Sequence, residues 1–241
     1  MKVHQIGKRC TVAVAAFLAA MSLVGCASTT ANNPRDPFES FNRAMFSVNE
    51  GIDTVVKPVA QGYADYVPSP IRTGIGNFFG NIADLWIAVN NYLQGKFTEG
   101  SSDVSRVIVN TTMGVGGLFD VATLLDLEKH NEDFGQTLGV WGIDTGPYLF
   151  WPFIGPRDVR DTFGFAVDAT ADPVMYVNDI PVRNTMIGVR FIDLRASLLP
   201  ADKIVEEAAF DKYSYIRNAY FQNRLNAVYD GNPPRPKEDA E

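Results

Sequence analysis

Gly74-Ile75-Gly76-Asn77-Phe78-Phe79-Gly80-Asn81-Ile82-Ala83-Asp84-Leu85-Trp86-Ile87-Ala88-Val89-Asn90-Asn91-Tyr92-Leu93-Gln94-Gly95 is a run of 22 residues with one charge, Asp84. Counted from the start signal Ser69-Pro70, Ile71, Ile75, Phe78, Ile82, Leu85, Val89 and Leu93 recur at steps of three and four, the spacing of one apolar helix face. The length would suffice to cross a bilayer. Asn77, Asn81, Asn90, Asn91 and Gln94 argue against that, because hydrocarbon offers no partners to side-chain amides. The stretch therefore predicts an amphipathic helix that does not span a membrane, with Gly95 as its stop.

Working outward, the same period recurs on both sides. Asp36-Pro37-Phe38-Glu39 reads as a helix start, with Asp36 as cap, Pro37 in the first turn and Glu39 completing a capping box. Phe38, Phe41, Met45, Val48, Ile52 and Val55 then form an apolar face that is expected to end at Lys57, before Pro58. Downstream, a helix is predicted over 102–113, with Val104, Val107, Ile108 and Met113 facing inward. Gly114, Gly116 and Gly117 break it before a short apolar piece at 118–125. Further helices are expected over 157–168, 181–199 and 212–230. Sustained alternation of period two is scarce, so the fold class is mostly α in a single domain of amphipathic helices.

Residues 134–156 differ. They hold one charge (Asp144), five glycines, three prolines and six aromatics. Gly139, Gly142 and Gly146 disfavour a stable helix, and Pro147, Pro152 and Pro156 exclude a central strand. The expectation is an irregular apolar segment whose backbone needs protein or a watery lumen for partners. Trp86, Trp141 and Trp151 all lie in this stretch or in the low-charge helix before it. Tryptophan favours the membrane interface, but buried loops are aromatic too. Both placements stay open for Trp86, Trp151 and Phe153.

The N-terminus carries Lys2, Lys8 and Arg9, then an uncharged run of about 15 residues, too short to span. It closes with Leu23-Val24-Gly25-Cys26, which resembles a bacterial lipobox. Residues 1–25 are expected to be a lipoprotein signal peptide and Cys26 the lipidated residue. Several acyl chains hold a protein stably where one holds it marginally. Ala27 and Ser28 follow, and by resemblance to enterobacterial sorting rules the lack of an acid there favours the outer membrane, on its periplasmic face. Residues 26–35 read as a lipidated tether, 36–230 as the folded domain, and 231–241, rich in proline and charge, as a disordered tail.

Composition excludes several functions. Residues 1–25 hold three of the 21 basic and none of the 28 acidic residues, so their removal takes the net charge from −7 to −10. Such a chain is not expected to bind nucleic acid. Cys10 leaves with the signal and Cys26 is consumed by lipid, so no disulfide is expected within the chain. His130 is the sole histidine after residue 25, in a charged run (Glu128 to Asp133) that reads as a solvated loop. No zinc ligand set, nucleophile elbow or dinucleotide fingerprint is present, so neither cofactor, metal nor enzymatic activity is expected. Asp158 and Asp161 read as solvated partners of Arg157 and Arg160.

Several pieces, in order, resemble the MlaA (VacJ) lipoprotein family: Asp36-Pro37-Phe38-Glu39-Ser40-Phe41-Asn42-Arg43-Ala44-Met45-Phe46, Tyr66-Val67-Pro68, Asn91-Tyr92-Leu93-Gln94-Gly95, Phe134-Gly135-Gln136-Thr137-Leu138-Gly139 and Arg217-Asn218-Ala219-Tyr220-Phe221-Gln222. The resemblance covers residues 36–225 and is weakest at 123–133 and 174–212. It implies a ring of helices in the inner leaflet of the outer membrane, with a central amphipathic channel. Mislocalised phospholipid would pass through that channel to a soluble periplasmic carrier of the Mla system, keeping the membrane asymmetric. It also implies association with a trimeric porin. On the channel hairpin it places Gly139, Trp141, Gly142, Gly146, Pro147 and Tyr148. A porin-associated scaffold that moves no lipid is the alternative.

Overall fold

The computed structural model describes residues 33–234. The signal, Cys26 and residues 235–241 lie outside them. In chain order the elements are α1 (Glu39–Tyr66), α2 (Ser69–Leu93), α3 (Phe97–Thr112), α4 (Val121–Leu124), α5 (Phe134–Val140), β1 (Tyr148–Trp151), β2 (Gly155–Asp158) and α6 (Val159–Ala171). A 3-10 turn at Pro173–Tyr176 leads to α7 (Ile180–Ser197), α8 (Leu199–Ala208) and α9 (Lys212–Val228). The fold is mostly α, as the periodicity predicts. No described helix is long and apolar enough to cross a membrane.

The first helix departs from expectation at both ends. Asp36 does not cap it: Phe38 holds the cap position and makes no side-chain cap bond. Asp36 is instead fully buried, accepting from Asn42 Nδ2 at 2.8 Å, Tyr213 Oη at 2.6 Å and Arg217 Nη1 at 2.7 Å. Nor does Pro58 stop the helix, which continues to Tyr66. Proline removes the bond to the Thr54 carbonyl, but both residues are exposed, so water can take the donor's place. Tertiary contacts hold the chain helical on either side. Arg195 grips Asp53 with two bonds of 2.7 Å, Ala60 packs on Ala196 and Leu199, and Tyr63 Oη donates to Asp193 at 2.7 Å.

The stretch 134–156 is more regular than its composition suggests. Phe134–Val140 is helical because Asp133 caps it, accepting from Gln136 N at 2.8 Å. Tyr148–Trp151 and Gly155–Asp158 then pair as an antiparallel hairpin, Tyr148 opposite Asp158 and Trp151 opposite Gly155. With only two strands every position is an edge, which is where proline is tolerated: Pro152 turns the hairpin and Pro156 sits opposite Phe150. Asn42 of α1 continues the pairing, donating to the Tyr148 carbonyl at 3.0 Å and accepting from Phe150 N at 2.9 Å.

Residues 128–133 are not a solvated loop. Lys129 bonds buried Asp84, His130 Nδ1 lies 3.0 Å from buried Asp103 Oδ1, and Glu132 accepts from Lys96 at 3.0 Å and Gln94 at 2.8 Å. The segment supplies counter-charges to the polar faces of α2 and α3.

Helices α5 and α6 cross backbone to backbone at Gly135 and Gly164. A Cβ on Gly164 would lie 2.5 Å from Gly135 N and 2.6 Å from its Cα. Since backbone cannot step aside as a flexible side chain can, Gly164→Ala is expected to cost about 1–3 kcal/mol as overpacking. Gly188→Ala, with nothing within 4 Å of the added atom, is expected to be neutral or slightly stabilising. Thermal unfolding of the two variants in detergent checks this ordering.

Candidate functional site

The helix faces are reversed relative to a water-soluble protein. On α3 the buried residues are Gly100, Asp103, Arg106 and Asn110. Val104, Ile108 and Met113, expected inside, are exposed at 37%, 58% and 63%. On α2, Asn81, Asp84, Asn90 and Asn91 are buried along with Phe79, Ile87 and Ala88, whereas Ile71, Leu85, Val89 and Leu93 are exposed. The periodicity was real, but it marks the outside. The interior it encloses is a polar network. Arg106 donates two 2.9 Å bonds to Asp120, Asn91 donates to Asp103 at 2.7 Å, and Thr137 donates to Asn90 at 2.7 Å. Burial pushes the Asp120 carboxyl up, but hydrogen bonds from Thr123, Asn110 and Arg106 override it and hold it at about 2. Buried polar groups persist only when paired, and here α2, α3 and the 120–137 segment pair one another.

Other exposed apolar side chains include Val115, Phe119, Leu124, Phe163 and Tyr176. Scattered exposed apolar residues are ordinary, but a contiguous apolar surface marks a membrane or protein contact. The N–H groups of all three tryptophans are satisfied by protein. Trp86 donates to Asp168 at 2.7 Å, Trp141 to the Leu93 carbonyl at 3.0 Å and Trp151 to Thr162 Oγ1 at 3.1 Å. Trp86 and Trp151 are half-buried, while Trp141 and Phe153 are more than half exposed.

Between α1, the hairpin, α7, α8 and α9 lie two adjoining cavities. One, about 290 Å³, has an aromatic wall that includes Phe46, Phe150, Phe153 and Phe191. The other, about 470 Å³, is lined by Lys57, Gln61, Glu206 and Lys212 among others. They share Glu50, Asp53, Asp202 and Ile216, so apolar and charged walls meet at the bridge in which Arg195 holds Asp53 and, at 2.6 Å, Asp202. Sequence reasoning missed Asp53, Arg195 and Asp202. Each sits among other charges on its helix, Asp53 between Glu50 and Lys57, Arg195 near Asp193 and Asp202 beside Lys203, and nothing local marks them as partners.

The residues expected on the channel hairpin are divided by the structure. Gly142 and Gly146 adopt φ of +88° and +67°, a region that glycine enters without the penalty of a Cβ. Gly139 lies within α5, where a Cβ would come 2.7 Å from Arg160 Nη1. Pro147 precedes β1, and its carbonyl accepts from Val159 N. Tyr148 is fully buried against Tyr213, Tyr220 and Phe221, ring centroids 5.5–6.2 Å apart.

Asp158 and Asp161, read from sequence as solvated, are buried, because β2 runs straight into α6 and carries both inside. Asp161 accepts from Tyr220 Oη at 2.5 Å and from Arg224 and Arg160 at 2.9 and 3.0 Å. Asp158 caps α6, accepting from Asp161 N at 2.7 Å. Burial, followed by the Asp161 charge, pushes the Asp158 carboxyl up to about 6. Burial also opposes ionisation of Asp133, but the Arg224 guanidinium overrides it and holds that carboxyl below the usual range.

Comparison with known proteins agrees in extent and fold. The family model for the MlaA lipoprotein matches residues 34–227. Two relatives, from Shigella flexneri and Escherichia coli K12, are each called intermembrane phospholipid transport system lipoprotein MlaA. They are 37% and 36% identical over 224 residues, 90% of this chain and 88% of theirs. A chain solved in work on the structural basis for maintenance of bacterial outer membrane lipid asymmetry is 35% identical, with a TM-score of 0.70, over 82% of this chain and 99% of that one.

Folding raises the Asp158 pKa from its ordinary 3.8 to about 6. Its favourable contribution is therefore complete below pH 3.8 and lost as the pH rises through 6. Asp158→Asn removes the charge and keeps the cap acceptor. The stability of the variant relative to wild type is expected to rise by about 1 kcal/mol between pH 5 and pH 7.5. Thermal melts at the two pH values measure it, and a difference that does not change with pH refutes the assignment.

Proposed function

We propose that this chain, which belongs to the MlaA lipoprotein family, takes mislocalised phospholipid from the outer leaflet of the outer membrane. It passes the lipid through an amphipathic channel to a soluble periplasmic carrier, and so maintains the asymmetry of the membrane. The observation that carries this reading is the reversed burial. Large apolar side chains of α2, α3 and α4, Leu85, Ile108 and Leu124 among them, are exposed while amides and ion pairs make up much of the interior, an arrangement suited to lipid as the surrounding solvent. A membrane that bathes the outside is not crossed by α2, which is long enough but not apolar enough to span it. The ring therefore lies within one leaflet, held there by acyl chains on Cys26.

The passage runs between α1, the hairpin, α7, α8 and α9. Its aromatic wall suits acyl chains, and its charged wall suits a headgroup and its water. Passage of this kind breaks no bond and takes its direction from outside the protein. A trimeric porin is the proposed outer-membrane partner, covering part of the apolar surface. Gly142 and Gly146 let the hairpin approach turn sharply, and Trp86, Trp151 and Phe153 mark the interface.

Outer-leaflet phospholipid exposure in cells lacking the protein tests the proposal. Exposure should rise, and wild type should restore it. Cys26→Ala should not, and Gly142→Val and Gly146→Val should restore it poorly, because a β-branched residue resists positive φ. A deletion that leaves exposure unchanged overturns passage in favour of a scaffold.

A further inference from the structure

A third cavity, about 430 Å³, lies on the other side of the aromatic cluster, between α5, α6 and α9, and the passage does not use it. Its walls include apolar Ile143, Leu225 and Val228 together with Arg160 and Asp158. Arg160 is 7% exposed and its Nη2 donates to nothing; Asp158 is 0% exposed and its Oδ2 accepts from nothing. The two atoms are 3.9 Å apart, beyond hydrogen-bond reach of each other. Arg35 and Asp144, both exposed, also line the cavity, and neither has an ion pair among the described residues.

The floor thus holds a loose ion pair whose facing donor and acceptor atoms have no hydrogen-bond partner, and the rim holds one cation and one anion with no ion pair among the described residues. Buried polar atoms left without partners are costly, and each asks for a ligand or water. A free anion answers only the arginines. It leaves Asp158 and Asp144 facing negative charge, and it makes no use of the apolar wall. A group that answers all of them has a phosphate and an ammonium on a short link, attached to an apolar stem.

We propose that this cavity is a headgroup site for a zwitterionic phospholipid of the phosphoethanolamine class. The phosphate accepts from Arg160 and Arg35, and the ammonium donates to Asp158 and Asp144. The site's place in transport rests on the passage reading, but its occupancy does not.

Calorimetric titration of the full lipidated protein in non-ionic detergent tests it with four probes: dihexanoyl phosphatidylethanolamine, dihexanoyl phosphatidylglycerol, glycerophosphoethanolamine and inorganic phosphate. The ethanolamine lipid is expected to bind at least tenfold tighter than the glycerol lipid. Glycerophosphoethanolamine should bind more weakly than its lipid but better than phosphate. Asp144→Asn and Arg35→Gln, both at exposed positions, should each weaken the ethanolamine lipid severalfold, and Asp144→Asn should narrow its margin over the glycerol lipid. Equal binding of the two lipids, phosphate matching glycerophosphoethanolamine, or indifference to both substitutions overturns the site. Outer-leaflet exposure in cells is scored separately. Wild type that binds with this preference yet fails to lower exposure upholds the site and defeats passage. Wild type that lowers exposure without the preference does the reverse.

Discussion

Everything in the fold is hung on one buried carboxylate. Asp36 lies just before the first helix, yet three of its bonds reach Asn42 on α1 and Tyr213 and Arg217 on α9. Asn42 in turn completes the edge of β1. One charge thus fastens the beginning of the domain to its end and seats the hairpin between them. Around it, Arg43 reaches Asp211, the cap of α9, at 2.6 Å, and Phe46 meets Phe150 and Tyr213 edge on. Removing one member of a buried, hydrogen-bonded charge set leaves the others unpaired. For that reason the set acts as a clasp between α1 and α9 rather than as one contact among many.

The rest of the interior repeats the theme. Arg106 with Asp120, Arg224 with Asp133 and Asp161, and Arg195 with Asp53 and Asp202 each join elements far apart in sequence. Apolar clusters are small by comparison: Ala60, Ala196 and Leu199 in one, Tyr148, Phe150 and Tyr213 in the other. Directional bonds therefore set the geometry, and the cavities survive because the walls are braced by pairs that cannot collapse without losing partners.

Helix positions were legible because spacing of three and four is a local property. Which face went inside was not, since periodicity reports that two faces differ and leaves open which solvent each prefers. The same gap explains Asp158, Asp161 and residues 128–133. A charge looks solvated until its distant partner is known, and those partners lie up to 91 residues away, as for Asp133 and Arg224. Pro58 misled in the same manner, because Asp53, Ala60 and Tyr63 are held by contacts from α7 and α8. At the hairpin, composition showed irregularity but could not reveal that Asn42 supplies an edge partner. The family resemblance, resting on strings such as Asp36 to Phe46, reached further than the spacing because it reads those distant partners indirectly.

The outward apolar faces of α2 and α3 bear on how the protein unfolds. In an ordinary domain, denaturation bares a hydrocarbon core, which gives a large heat-capacity change and a steep dependence on denaturant. Here part of that hydrocarbon is already on the surface of the native state, and what denaturation exposes includes many amides, guanidiniums and carboxylates. Polar exposure contributes to heat capacity with the opposite sign. The stability curve of this protein is consequently shallow for its size, and its melting is governed more by the electrostatics of its interior than by the temperature dependence of the hydrophobic effect.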